Sequence, residues 1–476
     1  MLNVHQLTIA FQRYRSMFKQ EIVPVVKGLD LQVNAGEIVA LIGASGAGKS
    51  LLAHAIIGLL PHNAICSGEI RYEGKLLHEA EWQRLRGQAI RFVPQSTSYL
   101  NPLMTVEQQL SKVQLQEVDV ASAKLYPFQL SGGMMRKVFM ATVTTPPPKL
   151  IIADELTPGL DAIAVQTVLD RLVQLAQQGT AVLMITHHLE AVAAIADRVV
   201  VLHEGMMVET VSGSAFAGLG EQLKHPYTKQ LWASLPQNEL LQQQRWHQAK
   251  EQVQDKVQIQ ANKECSEHSI IANKLVQVEH LSYQYEKKQS VLKDVQLTIY
   301  QGEIIGLSGV SGSGKSTLAR LLAGHIKVQT GNITLHSDME KGRKSHPVQL
   351  ILQHPEKAFN PQLRLCDSLA ESWEPDAATL TKLGIEPEWL ERWPHELSGG
   401  QLQRINIARA LHPQTKLLIA DEMTAMLDVI TQAQLWRQVL TIAEERQMTI
   451  VVISHDEALL QLVCTRVVTI AQLQRG

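Results

Sequence analysis

The sequence predicts an α/β protein of two tandem phosphate-binding domains, each built on a mainly parallel sheet. Three observations carry that prediction: a phosphate-gripping motif occurs twice, its surroundings recur in the same order, and apolar strands alternate with helical patterns in both copies.

Taken in order, Gly36-Glu37-Ile38-Val39-Ala40-Leu41-Ile42 reads as a buried strand that runs into Gly43-Ala44-Ser45-Gly46-Ala47-Gly48-Lys49-Ser50 and then into an apolar helical stretch. The glycines let backbone N–H groups close around phosphate oxygens, and the helix N-terminus adds positive potential. Lys49 can reach the outer phosphates, and the Ser50 hydroxyl can hold Mg²⁺. Helix formers over Thr105–Gln116 suggest an inserted helical arm ahead of Leu130-Ser131-Gly132-Gly133. Strands follow at Lys149–Asp154, Thr180–Thr186 and Arg198–Leu202; the first ends in Asp154-Glu155, the second runs into His187, and Leu160-Asp161 lies between them.

The second copy replays this order. The strand Gly302-Glu303-Ile304-Ile305-Gly306-Leu307-Ser308 leads into Gly309-Val310-Ser311-Gly312-Ser313-Gly314-Lys315-Ser316, followed by Thr317. Helix formers then appear around Asp367–Trp373, before Leu397-Ser398-Gly399-Gly400. The strand Leu417–Asp421 ends in Asp421-Glu422, Leu427-Asp428 follows, and a strand ending in His455 precedes the last one, Val467–Ile470. The two phosphate loops lie 266 positions apart, the Leu-Ser-Gly-Gly and Asp-Glu elements 267, and the histidines 268. A whole domain is therefore duplicated, because a solenoid repeats every 20 to 50 residues or so. The expected layout is a first domain over 1–235, a Gln-rich linker over 236–273 and a second domain over 274–476. The linker is read as solvated and partly helical, or else as a docking arm for a partner.

Composition narrows the function. With 44 basic and 46 acidic side chains, the net charge of −2 gives no bulk attraction to nucleic acid. Cys66, Cys265, Cys366 and Cys464 have no metal-ligand or redox spacing, which fits reduced thiols in a cytosolic setting. No segment reaches the roughly 18 uninterrupted apolar residues that span a bilayer, and the N-terminus lacks a secretion pattern. Service to a membrane would come from outside it.

The ordered set of phosphate loop, Gln95 or Gln353, Leu-Ser-Gly-Gly, Asp-Glu, Leu-Asp and histidine resembles the ATPase subunits of ABC transporters, in both halves of the chain. The resemblance implies two tandem P-loop ABC ATPase domains, each with a parallel sheet core, an antiparallel β region and a helical subdomain. It implies ATP and Mg²⁺ as cofactors, with Ser50, Gln95 and Asp154, or Ser316, Gln353 and Asp421, around the metal. Glu155 and Glu422 would polarise the attacking water, and His187 and His455 would face the γ-phosphate. Ser131, Gly132 and Gly133 of one copy, or Ser398, Gly399 and Gly400 of the other, would reach the nucleotide held by the opposite domain. Asp161 and Asp428 would lie near the same nucleotides. Phe11 and Tyr285 would stack on adenine, or else pack in the core as lone aromatics usually do.

Smaller matches, His225-Pro226-Tyr227-Thr228, Leu100-Asn101-Pro102, Tyr126-Pro127 and Phe359-Asn360-Pro361, are similar to ATPases of oligopeptide, dipeptide and nickel importers. That branch implies two transmembrane permease subunits, an external substrate-binding protein, no nucleic acid partner, and a peripheral location on the cytoplasmic face of the inner membrane. Alternatives are an energy-coupling vitamin or cobalt importer and a soluble twin ATPase acting on ribosomes. Departures from the family pattern are Met134 after the first signature, Leu156 and Met423 after the Asp-Glu pairs, and His188 after His187. None removes a group assigned to chemistry, so two working sites are expected.

Overall fold

The computed structural model describes residues 1–16, 19–94, 100–130, 132–156, 162–186, 189, 194–218, 222–236, 274–285, 290–310, 312–336, 346–424 and 427–474. The chain divides into two compact units, Met1–Trp232 and Ala233–Gly476.

In the first unit, β1 (Leu2–Ser16) and β2 (Lys19–Val33) form a long antiparallel ribbon. After β3 (Ile38–Gly43) come β4 (Ala64–Tyr72) and β5 (Lys75–Leu76), which complete a four-stranded antiparallel sheet in the order β2-β1-β4-β5. The second sheet takes β3, β6 (Ile90–Val93), β7 (Leu150–Asp154), β8 (Ala181–Ile185), β9 (Arg198–His203) and β10 (Met206–Ser212) in the order β10-β9-β3-β8-β7-β6. All its pairings are parallel except β9 with β10. Every residue of β3, β7 and β8 is buried, which is why these strands read as unbroken apolar runs rather than alternating ones.

The second unit repeats the plan, with fewer strands among the described residues. β11 (Lys274–Tyr283), β12 (Leu292–Tyr300) and β14 (Thr330–Leu335) make an antiparallel sheet in the order β12-β11-β14. β13 (Ile304–Ser308), β15 (Val348–Ile351), β16 (Leu417–Asp421), β17 (Thr449–Ile453) and β18 (Arg466–Thr469) form an all-parallel sheet in the order β15-β16-β17-β13-β18.

The helical arms are more broken than the sequence suggests. The stretch over Thr105–Gln116 splits into the helices Val106–Gln109 and Lys112–Leu115, because the Ser111 side chain accepts a hydrogen bond from the Gln114 N–H and so starts a new helix. In the second unit the arm holds the helices Leu365–Ala370, Ala377–Lys382 and Pro387–Leu390. Residues 237–273 of the expected linker lie outside the described residues. The helix Pro226–Ala233 packs back on the first unit, with the Tyr227 ring stacked on His203 at a centroid distance of 3.9 Å. Glu209 of β10 accepts the backbone N–H groups of Lys224 and His225, which fixes where that helix begins.

One ion pair is duplicated with the fold. Ahead of β3, Glu37 accepts from Arg198 of β9, and Arg198 also donates to the Gln32 carbonyl on β2. Ahead of β13, Glu303 accepts from Arg466 of β18 at 2.8 Å, and Arg466 donates to the Thr298 carbonyl on β12. Each clip therefore ties the antiparallel sheet to the parallel one. Burial pushes the Glu37 carboxyl up, but Arg198 and the Asn34 N–H outweigh it and leave it lowered. A lowered carboxyl adds stability above its unfolded pKa and loses it as pH falls through the folded one. Glu303 is only 3% exposed and also accepts the Tyr300 N–H at 2.9 Å. Glu303→Ala is expected to lose about 2 kcal/mol, seen as an earlier midpoint in chemical denaturation of the full chain, with Glu303→Gln losing less.

Candidate functional site

Each phosphate loop is set by the strand before it and the helix after it. β3 hands over to the helix Lys49–Ile56, and β13 to Lys315–Leu322. The N-caps of these helices are Gly48 and Gly314, with φ of 95° and 104°. A Cβ at either place would also stand 2.7 Å from a side-chain methyl, of Val26 or Leu292 respectively. Only glycine serves there.

The lysines lie inside the loops. Lys49 Nζ donates to the carbonyls of Gly43 and Ala44 at 2.9 and 2.8 Å, and Lys315 Nζ to those of Gly309 and Val310 at 2.6 and 3.1 Å. Both cations are thus held at the mouth of a loop whose Ser45, Gly46 and Ser50, or Gly312 and Ser316, face solvent.

Asp154 and Asp421, the last residues of β7 and β16, are 4% and 8% exposed. Burial pushes both carboxyls up, and the charges of Glu155 and Glu422 add to it. The Ser50 and Ser316 hydroxyls, which hydrogen-bond these carboxylates, work the other way together with Lys49 and Lys315. Oδ1 of Asp154 is buried without a partner. Among the described residues no three His, Cys, Asp or Glu side chains stand together to hold a metal. A serine hydroxyl beside one under-satisfied carboxylate suits Mg²⁺, which draws most of its shell from phosphate and water. The raised Asp421 pKa makes its charge a burden on the metal-free fold, one relieved as pH falls through that pKa. Asp421→Asn is therefore expected to raise the melting temperature of metal-free, nucleotide-free protein at pH 7 by roughly 2–4 °C, equivalent to about 1 kcal/mol, with the gain shrinking at lower pH.

The glutamates that follow have an unusual backbone. Glu155 and Glu422 take φ of 52° and 49°, in the left-handed region. Their N–H groups donate to the carbonyls ending the neighbouring strands, Ile185 at 2.8 Å and Ile453 at 3.0 Å. This turn aims the Glu422 carboxylate between two other side chains. Its Oε1 lies 2.8 Å from Nε2 of His455, and its Oε2 accepts from Nε2 of Gln353. Three residues far apart in sequence thus meet at one carboxylate. Their first-copy counterparts Gln95 and His187 lie outside the described residues, as do Ser131, Asp161 and Ser311.

The signature serine Ser398 caps the helix Gly399–Ala410, and Gly399 and Ser398 are exposed. In the first copy the helix Gly132–Thr144 begins with Gly132 and Gly133. Asp428 caps the helix Val429–Glu445 by accepting the Thr431 N–H at 3.1 Å. Tyr285 is partly exposed, and its hydroxyl lies 3.4 Å from that of Thr317, just past the second loop. Phe11 packs, partly buried, against the core of the first unit. Sequence reasoning missed the left-handed glutamates, for which residue type gives no signal. It also missed the reciprocal cap at Ser398, which the Ser-x-x-Gln spacing does announce.

The ABC transporter family model matches residues 26–158 and 292–425. The chain is 31% identical to the ABC transporter ATP-binding protein YejF of Escherichia coli strain K12, across 99% of this chain and 94% of the relative. It is 31% identical to the glutathione import ATP-binding protein GsiA of Pectobacterium atrosepticum, across 93% and 81%. Its fold is similar to that of the solved RNase-L Inhibitor, with a TM-score of 0.62 at 20% identity over 97% of this chain and 87% of that one. A ribosome recycling factor, aABCE1, gives 0.63 at 19% over 93% and 84%. At such identities the likeness is one of fold. The matched segments hold both phosphate loops and both Asp-Glu strand ends, so the chain belongs to the ABC transporter family and carries two of its ATP-binding domains in one polypeptide.

Proposed function

We propose that this protein is the ATP-hydrolysing subunit of an importer for small peptides, glutathione-like molecules, nickel or metal chelates, with domains over 1–235 and 274–476. The observation that carries the reading is the meeting of Gln353, Glu422 and His455 beside a lysine-lined phosphate loop, a set built to activate water next to a bound triphosphate. The name of GsiA, similar along nearly the full chain, supports import as the direction and a short peptide as cargo.

In this reading ATP sits in each loop, its phosphates met by backbone N–H groups and by Lys49 or Lys315. Ser50 with Asp154 and Gln95, and Ser316 with Asp421 and Gln353, would hold Mg²⁺, which when bound neutralises phosphate charge. Glu155 and Glu422 orient and deprotonate water, and His187 and His455 hold the glutamate and the γ-phosphate in register. Ser398 reaches the nucleotide on Lys49, and Ser131 the one on Lys315, so hydrolysis needs both halves. Phe11 and Tyr285 offer faces for adenine. The partners are two permease subunits and an external binding protein, at the cytoplasmic face of the inner membrane. Among the described residues no helix is long and apolar enough to cross a membrane, so the passage itself is assigned to those partners.

Affinity purification from membranes tests this reading, paired with uptake of labelled glutathione and dipeptides in cells with and without the gene. Two permease subunits and ATP-dependent uptake are expected. Ribosomal proteins in their place, or unchanged uptake, would reject it.

A further inference from the structure

The first unit holds an open cleft at a place that the second unit fills. Its volume is about 470 Å³, within the range that takes a small-molecule ligand. The helix Gly132–Thr144 gives one wall, with Lys137, Met140 and Ala141, and the helix Ala162–Gln177 gives the other, with Val168, Asp170 and Arg171. Met140, Ala141 and Val168 line it with apolar groups.

The charges around the cleft are not used up on one another. Arg171 donates to Glu117 at 3.1 Å and reaches the Thr145 hydroxyl at 3.3 Å. Asp170, exposed, accepts from the neutral Gln166 carboxamide at 2.8 Å and has no ion-pair partner among the described residues. Lys137, exposed on the facing wall, makes no ion pair among them either. Its charge reaches Asp119, but that carboxylate already accepts the Ser122 N–H at 2.8 Å. A cation and an anion thus stand on opposite walls of one apolar cleft, each short of a charged partner.

The repeat of 267 positions sets Arg404, Gly384 and Arg437 where the first unit has Lys137, Glu117 and Asp170. Arg404 Nη1 donates to the Leu383 carbonyl at 2.6 Å, and a Cβ on Gly384 would stand 3.2 Å from that nitrogen. The guanidinium takes up the space, and Arg437 reverses the charge on the facing helix.

The geometry points to a ligand for the first unit's cleft: a zwitterion of about dipeptide size with an apolar body, its carboxylate on Lys137 and its ammonium on Asp170. The cleft stands apart from the phosphate loops, and its test reads binding by the chain itself, so it stands or falls separately from the choice of cargo.

Calorimetric titration of the full-length, nucleotide-free chain with leucyl-leucine is expected to show binding. Leucyl-leucine amide, which lacks the carboxylate, and N-acetyl-leucyl-leucine, which lacks the ammonium, should each bind about tenfold more weakly, the loss of one charge-assisted hydrogen bond. Lys137→Gln should weaken leucyl-leucine by a similar factor and leave the amide unaffected. Asp170→Asn should likewise weaken leucyl-leucine and leave the acetylated peptide unaffected. No binding of leucyl-leucine up to millimolar concentration, blocked ends that cost nothing, or variants that weaken all three peptides alike would each overturn the assignment. The blocked peptides are compared on the parent chain, so the result decides even where a variant fails to fold.

Discussion

Glu422→Gln is expected to reduce ATP hydrolysis at the second site by about 10²- to 10³-fold while nucleotide binding is kept. The substitution preserves volume and removes the negative charge that can draw a proton from water. It also disturbs the one carboxylate that Gln353 and His455 share. Single-turnover hydrolysis in a Glu155→Gln background isolates this site, and an undiminished rate there would take Glu422 out of the chemistry. The same position separates strain from catalysis. At φ 49° a non-glycine residue is held in a conformation that costs about 1 kcal/mol or more. Glu422→Gly should therefore gain thermal stability while losing turnover as completely as the Gln variant. A residue kept for packing alone would show the opposite, because the backbone gains nothing from a glutamate there.

Lys49→Ala and Lys315→Ala are each expected to weaken ATP binding at their own loop by about 30- to 100-fold, equivalent to 2–3 kcal/mol of charge-assisted hydrogen bonding. Each ammonium donates to two loop carbonyls, so the charge is already in place before nucleotide arrives. Its removal takes away the phosphate partner and loosens the loop together. Lys→Arg should not rescue either site, since a guanidinium fork is too wide to sit between those carbonyls. Titration with a fluorescent ATP analogue, one loop disabled at a time, reads both affinities. A Lys49→Ala variant that binds as tightly as the parent would show that this loop does not hold the nucleotide.

Much of this was legible in the sequence, for a physical reason. Buried parallel strands need unbroken apolar runs, so β3, β7, β8, β16 and β17 stand where the residue pattern places them, within a residue or two. The phosphate loops were legible because only glycine tolerates their backbone. The β1–β2 ribbon was not: Pro24, Gly28 and several charged residues interrupt its pattern, and pairing along each 15-residue strand overrides local preference. Glu37 and Arg198 stand 161 positions apart, and nothing local links them. The duplication held the missing clue, because Glu303 and Arg466 repeat the pair. The family resemblance gave Gln353, Glu422 and His455 separate roles at one nucleotide, whereas their meeting at the Glu422 carboxylate and the left-handed turn that aims it emerge only from the folded chain.

The two parallel sheets finish differently beyond the clipped strand. β9 has β10 laid along its outer side, whereas β18 has a hydrogen-bonded neighbour on one flank only among the described residues. A bare rim of amides and carbonyls is a landing strip for any stray extended peptide. Four residues, Arg466 among them, make this one too short and too charged to template much. An engineer who lengthens it with alternating apolar residues, or hangs a β-prone tag beside it, should expect clumping before any loss of ATPase activity.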